Sequence, residues 1–281
     1  MKHGVYILEE GTALTAPITS GSSIQVVIGT APVHMVEDPA AVVNVPILAN
    51  SAAEAMAALG YVDDFENFTL CQTMYATNNL FQVSPVVYIN VLDPSNHNKA
   101  MTTDSVEVEL LQARITEKGV IPSMLTVQNG DQTLVDGTDY TTEFDTDGSL
   151  LINLISGGRG QGAQTLTVSG KVIDPSVVTK TDIIGSYNVA SGKETGMELI
   201  RQVYPKLGVV PGLLLAPGWS QEPEVGIALA GKAANINGVF KAMAIIDLDT
   251  STATKYTDVK ETKENSGFTS EFCYPLWLSF R

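Results

Sequence analysis

Cysteine, histidine and basic residues are all scarce in this 281-residue chain, and each scarcity closes a class of function. The two cysteines, Cys71 and Cys273, are too few for a Cys-based metal site. The N-terminus shows no secretion signal, so they read as buried thiols of a cytoplasmic product. The three histidines, His3, His34 and His97, fall in the N-terminal arm or in loops, with no partner ligand at i+2 or i+4. They read as solvated surface residues, and no Ser/His/Asp or Cys/His arrangement can be placed. Sixteen Lys and Arg against 31 Asp and Glu leave a net charge of −15, which argues against a nucleic-acid partner. No apolar run approaches the roughly 20 residues of a membrane helix, so no membrane partner is expected. What remains is an ordinary globular mixture, 44% hydrophobic and 17% charged, with length enough for two modest domains.

The stretch from Gly192 to Asp249 alternates helix, strand, helix, strand. Met197, Ile200, Val203 and Tyr204 recur at helical spacing before Pro205 and Gly208 close the segment. Residues 209–216, VVPGLLLA, read as a strand covered on both faces. Ser220 is then a candidate N-cap for a helix entering at Glu222, which ends at Asn237-Gly238. Residues 240–248 form the second strand of a βαβ unit, predicted parallel to the first. Nearer the N-terminus, strands are predicted over 24–30, 45–48 and 85–93. Helices are expected over 51–59, with Ser51 and Glu54 as a capping box, and over 67–82, with Leu70, Met74, Leu80 and Phe81 in its stripe. The two α/β halves are expected to share one sheet.

Between them the pattern changes. From His97 to Gly185 there is no good helical periodicity. Short strands over 106–115, 123–127, 133–134, 140–144, 149–155 and 164–173 alternate with the turn dipeptides Asn129-Gly130, Asp136-Gly137 and Asp147-Gly148. The fold class expected is therefore α/β (α+β), with a small all-β sandwich or barrel inserted into the core. The divisions fall at 1–23 for an arm, 24–96 and 186–281 for the two halves of the core, and 97–185 for the insertion.

Chemical motifs are thin. Gly157 to Gly162 is glycine-rich but leads into a strand, so it reads as a hairpin tip rather than a phosphate loop. Ser220, Asp247 and Asp249 sit where a βαβ unit holds its sites, and the two carboxylates at i, i+2 could share a cation. The competing reading makes Asp249 or Thr250 a cap. Catalytic, cofactor-binding and metal residues are predicted to be none, and no cofactor is expected. An enzyme using Ser220, Asp247 and Asp249 and a binding module using the β insertion are the alternatives. The latter needs exposed aromatics, and the insertion offers only Tyr140 and Phe144. Residues 4–10, GVYILEE, alternate like a strand, and 11–23 form a tether with no element of its own. Such a strand either folds back on its own sheet or adds to a neighbour's sheet edge.

Several segments resemble, in order, the sheath proteins of contractile phage tails and phage-tail-like bacteriocins. These are HGVYILEEGT at 3–12, VVIGTAPV at 26–33, AEAMAALGYVDDFENFTLCQTMY at 53–75, PVVYINVLDPSNH at 85–97, VPGLLLAPGWSQEPEV at 210–225, KAANINGVFKAMAIIDLDT at 232–250 and KYTDV at 255–259. The resemblance implies a non-enzymatic virion tail subunit that assembles in the host bacterial cytoplasm. It would form stacked hexameric rings with itself around an inner tail tube, with baseplate and tail terminator proteins as further partners. It also implies that Val5, Tyr6, Ile7, Leu8, Glu9 and Glu10 are a strand donated between subunits, with Gly11, Pro17 and Gly21 in the hinge. Residues 270–280, SEFCYPLWLSF, read as a strand with no cap or polar tail after it, so the natural chain is expected to continue or to end on a strand that pairs with something else. Sheath proteins do continue there, into a domain that contacts the tube and a C-terminal arm.

Overall fold

The computed structural model describes residues 24–277. The chain enters with strand β1 (Ile24–Gly29), passes two short 3-10 turns, and forms the edge strand β2 (Pro46–Ala49). Helix α1 (Ala52–Leu59) follows, where the Ser51 hydroxyl accepts from the Glu54 amide. The Glu54 carboxylate turns back to the Asn50 amide rather than that of Ser51, so the box closes one residue early. Helix α2 (Thr69–Met74) is shorter than the 67–82 predicted, because it widens into a π-helical turn over Tyr75–Leu80. The wider turn rotates later side chains off the buried face. Leu70 and Met74 are buried as expected, but Leu80 and Phe81 are 58% and 73% exposed. Strand β3 (Val86–Asn90) then runs fully buried.

Next come β4 (Asn98–Ala100), β5 (Asp104–Glu109), β6 (Gln112–Ile115), β7 (Thr126–Asn129), β8 (Gln132–Thr133), β9 (Tyr140–Phe144), β10 (Leu150–Leu154), β11 (Thr165–Ser169) and β12 (Lys171–Ile173). Seven of these form one sheet in the order β8-β7-β11-β5-β6-β10-β9, while β4 pairs with β12 apart from it. Strand β5 serves both halves of that sheet, pairing with β11 near its start and with β6 at its end. Side chains of both halves, among them Val106, Ile115, Val127, Tyr140, Leu150, Ile152 and Leu166, share one apolar cluster. The strand predicted over 164–173 breaks at Gly170, where an added Cβ would meet the Met124 carbonyl oxygen at 2.6 Å.

The strand predicted over 106–115 is instead a hairpin. Glu109 pairs with Gln112, which leaves Leu110 and Leu111 as a two-residue loop with φ of 50° and 67°. Two-residue hairpin loops with positive φ at both positions favour Asn-Gly, because a leucine there pushes its Cβ toward the backbone. Leu110 is also fully exposed. Leu110→Asn with Leu111→Gly is expected to stabilise the chain by about 2 kcal/mol, read as a higher urea midpoint at unchanged slope.

The return begins with helix α3 (Lys180–Ile184), inside the stretch predicted to lack helices; five residues are too few to show a periodicity. A small hairpin, β13 (Tyr187–Asn188) with β14 (Lys193–Glu194), leads through a 3-10 turn into α4 (Ile200–Leu207). Pro205 lies inside α4, not at its close; Gly208 caps it in the left-handed region. Proline removes the amide that would reach the Arg201 carbonyl, and the Asn237 side-chain amide donates to that carbonyl instead, at 2.8 Å. Strand β15 (Pro211–Leu215), helix α5 (Pro223–Ala234) and strand β16 (Met243–Asp247) make the expected βαβ unit with parallel strands. Helix α5 stops before Asn237-Gly238, and its N-cap is Glu222, not Ser220. Helix α6 (Val259–Asn265) and edge strand β17 (Cys273–Leu276) complete the description.

The core sheet runs β17-β16-β15-β1-β3-β2, parallel throughout except for β2. Its strands come from both ends of the chain, so the two α/β halves share one sheet. The larger apolar cluster lies on it and takes in Ile173, Val178 and Ile183, ahead of the boundary predicted at 185.

Candidate functional site

Ser220, Asp247 and Asp249 are only partly brought together. The turn after β15 swings Ser220 over the end of β16. There its hydroxyl accepts the Asp247 amide at 2.9 Å and donates to the Asp247 carboxylate at 3.1 Å. Burial pushes the Asp247 carboxyl up, with the Ser220 hydrogen bond acting the other way. Asp249 turns elsewhere, accepting from the amide and hydroxyl of Ser251 and the hydroxyl of Thr252, which hold its carboxyl below the usual range. It thus caps a turn, close to the cap anticipated. Both hydrogen bonds of the Ser220 hydroxyl go to Asp247, and they clamp the turn to the strand. Among the described residues, no three His, Cys, Asp or Glu side chains gather as a metal would require. No described helix is long and apolar enough to cross a membrane.

The β-rich sheet meets the core at a second place. His34, read from sequence as a surface residue, is 4% exposed. Its ring packs edge-on against Phe144 of β9 at 5.6 Å and lies 6.2 Å from Phe68. Nδ1 has no hydrogen-bond partner, and burial pulls its pKa down to about 4. His34 stands between Val33 and Met35 in a 3-10 turn, and the packing of Phe68 and of Phe144 on β9 against it seals the ring. Beside it lies a cavity of about 650 Å³, reached by Asp63, Asp64, Lys99, Lys118, Asp147 and Asp174. Most of these charges are already matched, Lys99 to Asp174 and Lys118 to Asp147. Of the two aromatics on which a surface-binding insertion would depend, Tyr140 is buried and Phe144 is half-buried under His34.

The third group of candidates is the arm. Val5, Tyr6, Ile7, Leu8, Glu9 and Glu10, with Gly11, Pro17 and Gly21, lie outside the described residues. What the structure does describe is the corner of the sheet where that segment attaches. Sequence periodicity missed it, because Leu80 and Phe81 were placed in a buried stripe. The one available signal was the unbroken absence of charge from Tyr75 to Pro85.

No protein-family model matches the chain. Over 239 residues, 84% of its length, it is 28% identical to a curated protein of the Burkholderia phage BcepMu named tail sheath protein. The chain is a relative of a phage tail sheath protein. The resemblance in the separate sequence segments thus extends across most of the chain, through both the α/β halves and the stretch between them. This sheath relative spans about half the length of the phage protein, 47% of it. The match points to a structural role in a phage tail. It points away from catalysis as the chain's purpose.

Proposed function

We propose that this chain is a structural subunit of a contractile tail sheath, polymerising around an inner tail tube and shortening to drive it through the host envelope. The observation that carries this reading is the sheath homology over 84% of the chain. Consistent with it, Ser220 and Asp247 are used up in holding a turn rather than left facing a substrate. In this reading residues 1–23 are an arm, 97–185 an insertion and the remainder one α/β core. Val5 to Glu10 add as a strand to a neighbouring subunit's sheet, and Gly11, Pro17 and Gly21 let the tether swing as subunits repack. The edge strands β2 and β17, unpaired on their outer sides among the described residues, are the acceptors such a strand would need. The energy of contraction is conformational, released as interfaces change, with no nucleotide or other cofactor. Stacked hexameric rings, the inner tube, the baseplate and the tail terminator are the partners of the whole sheath protein, assembled in the host cytoplasm.

Negative-stain electron microscopy at high protein concentration, with and without residues 1–20, tests this. Rings or tubes are expected with the arm and only dispersed particles without it. Identical polymers from both samples would remove the arm from assembly. Dispersed particles from both would show that this chain does not polymerise alone.

A further inference from the structure

The described surface carries one uncharged apolar ridge that the fold itself does not use. Leu80, Phe81 and Val83 are 58%, 73% and 40% exposed, and Tyr75 at the start of the same turn is also exposed. The π-helical turn creates it: the Phe81 amide reaches back to the Ala76 carbonyl and that of Val83 to Thr77, which turns Leu80 and Phe81 outward. From Tyr75 to Pro85 there is no Asp, Glu, Lys, Arg or His, in a chain of net charge −15. A contact made there between two such chains escapes the repulsion that acidic surfaces would impose.

The ridge sits at a defined corner. It feeds directly into β3, and Val86 pairs with both Gln25 of β1 and Ala49 of β2. Strand β1 therefore begins, at Ile24, at the ridge's own end of the sheet, and the edge strand β2, unpaired on its outer side among the described residues, finishes at the same corner. The segment that leaves there contains an uncharged apolar run, Val5-Tyr6-Ile7-Leu8. As an extended strand it would set Val5 and Ile7 on one face. The sixteen residue steps from Leu8 to Ile24 can span up to about 50 Å, enough for the ridge of the same chain or of an adjacent one.

We infer that the ridge Leu80–Phe81–Val83 is the seat of residues 5–8, which cover it while their backbone extends the free edge of β2. This deepens the strand-exchange reading by naming the receiving surface, and it rests on that reading only for which copy supplies the strand. The test places a benzophenone amino acid at Phe81 in the full chain, mixes isotopically light and heavy protein, irradiates, and maps the products by mass spectrometry. Cross-links to residues 5–8 between light and heavy chains are the expected result. Cross-links to residues 5–8 within one chain would keep the seat and overturn exchange between subunits. Absence of any cross-link to residues 1–23, or cross-links only to a second ridge, would overturn the seat whatever the microscopy shows. Leu80→Asp introduced beside the probe is expected to abolish the product. The ridge is exposed, so the substitution leaves the core intact, and an unchanged circular dichroism spectrum checks this.

Discussion

Asn90→Leu is expected to cost roughly 4 kcal/mol of unfolding free energy, a large share of the 5–15 kcal/mol that holds a typical domain. Asn90 is fully buried at the C-terminal end of β3, paired with Gly29 of β1. Its Oδ1 accepts the amides of Ala31 at 2.9 Å and Leu92 at 3.1 Å, and its Nδ2 donates to the Leu92 carbonyl at 2.8 Å. The neighbouring strands β1 and β3 end side by side there, and the chain must leave both without abandoning buried backbone groups. One amide side chain serves both exits. Leucine fills similar space but leaves two amides and a carbonyl without partners, each worth about 1–3 kcal/mol. The check is urea denaturation followed by tryptophan fluorescence. A loss below about 1 kcal/mol would show that water or a backbone shift replaces the side chain.

Acidification from pH 7 to pH 4 is expected to remove about 3 kcal/mol through His34 alone. The direction follows from proton counting. Burial lowers the folded-state pKa from 6.5 to about 4, so between those values the unfolded chain binds a proton that the folded chain refuses. Stability is therefore full above pH 6.5 and falls as pH drops through the window. The rings of Phe68 and Phe144 pack against the imidazole, and the charges at the neighbouring cavity are Asp63, Asp64, Lys99, Lys118, Asp147 and Asp174. Asp147 and Asp174 are held below the usual carboxylate range, first by the Lys118 and Ser176 hydrogen bonds respectively. Their own losses come at lower pH and do not mimic the histidine. Denaturation at pH 7, 5.5 and 4.5 should show the decline in the wild-type chain and a much flatter profile in His34→Leu. Parallel profiles would place the acid-sensitive group elsewhere.

Much of this architecture was legible because it rests on local chemistry. The β-branched run of β3 announced a strand, and the alternation of β15, α5 and β16 announced a parallel pair, although β15 is only partly buried rather than covered on both faces. Asn129-Gly130, Asp136-Gly137 and Asp147-Gly148 marked turns whose glycines all take positive φ. The readings that failed were those in which a distant partner or a change of helical pitch set the outcome. Ser220 left its capping role because Asp247, 27 residues on, offered both a donor and an acceptor. Pro205 stayed within a helix because Asn237 relieved the carbonyl it stranded. Leu110-Leu111 carries no turn signal, and only the pairing of β5 with β6 and the Leu154 amide on the Leu111 carbonyl bend the chain there.

The sequence by itself thus determined the alternation of elements, the βαβ unit, the β-rich middle and the kinship with tail sheaths, all of which depend on residues close in the chain or on their order. Tertiary structure alone decided that β1 lies between β15 and β3, that His34 is sealed beneath Phe144, and that Leu80 and Phe81 face outward. Each of those depends on which surfaces meet once the sheet closes and on one widened helical turn, and neither is encoded in local periodicity.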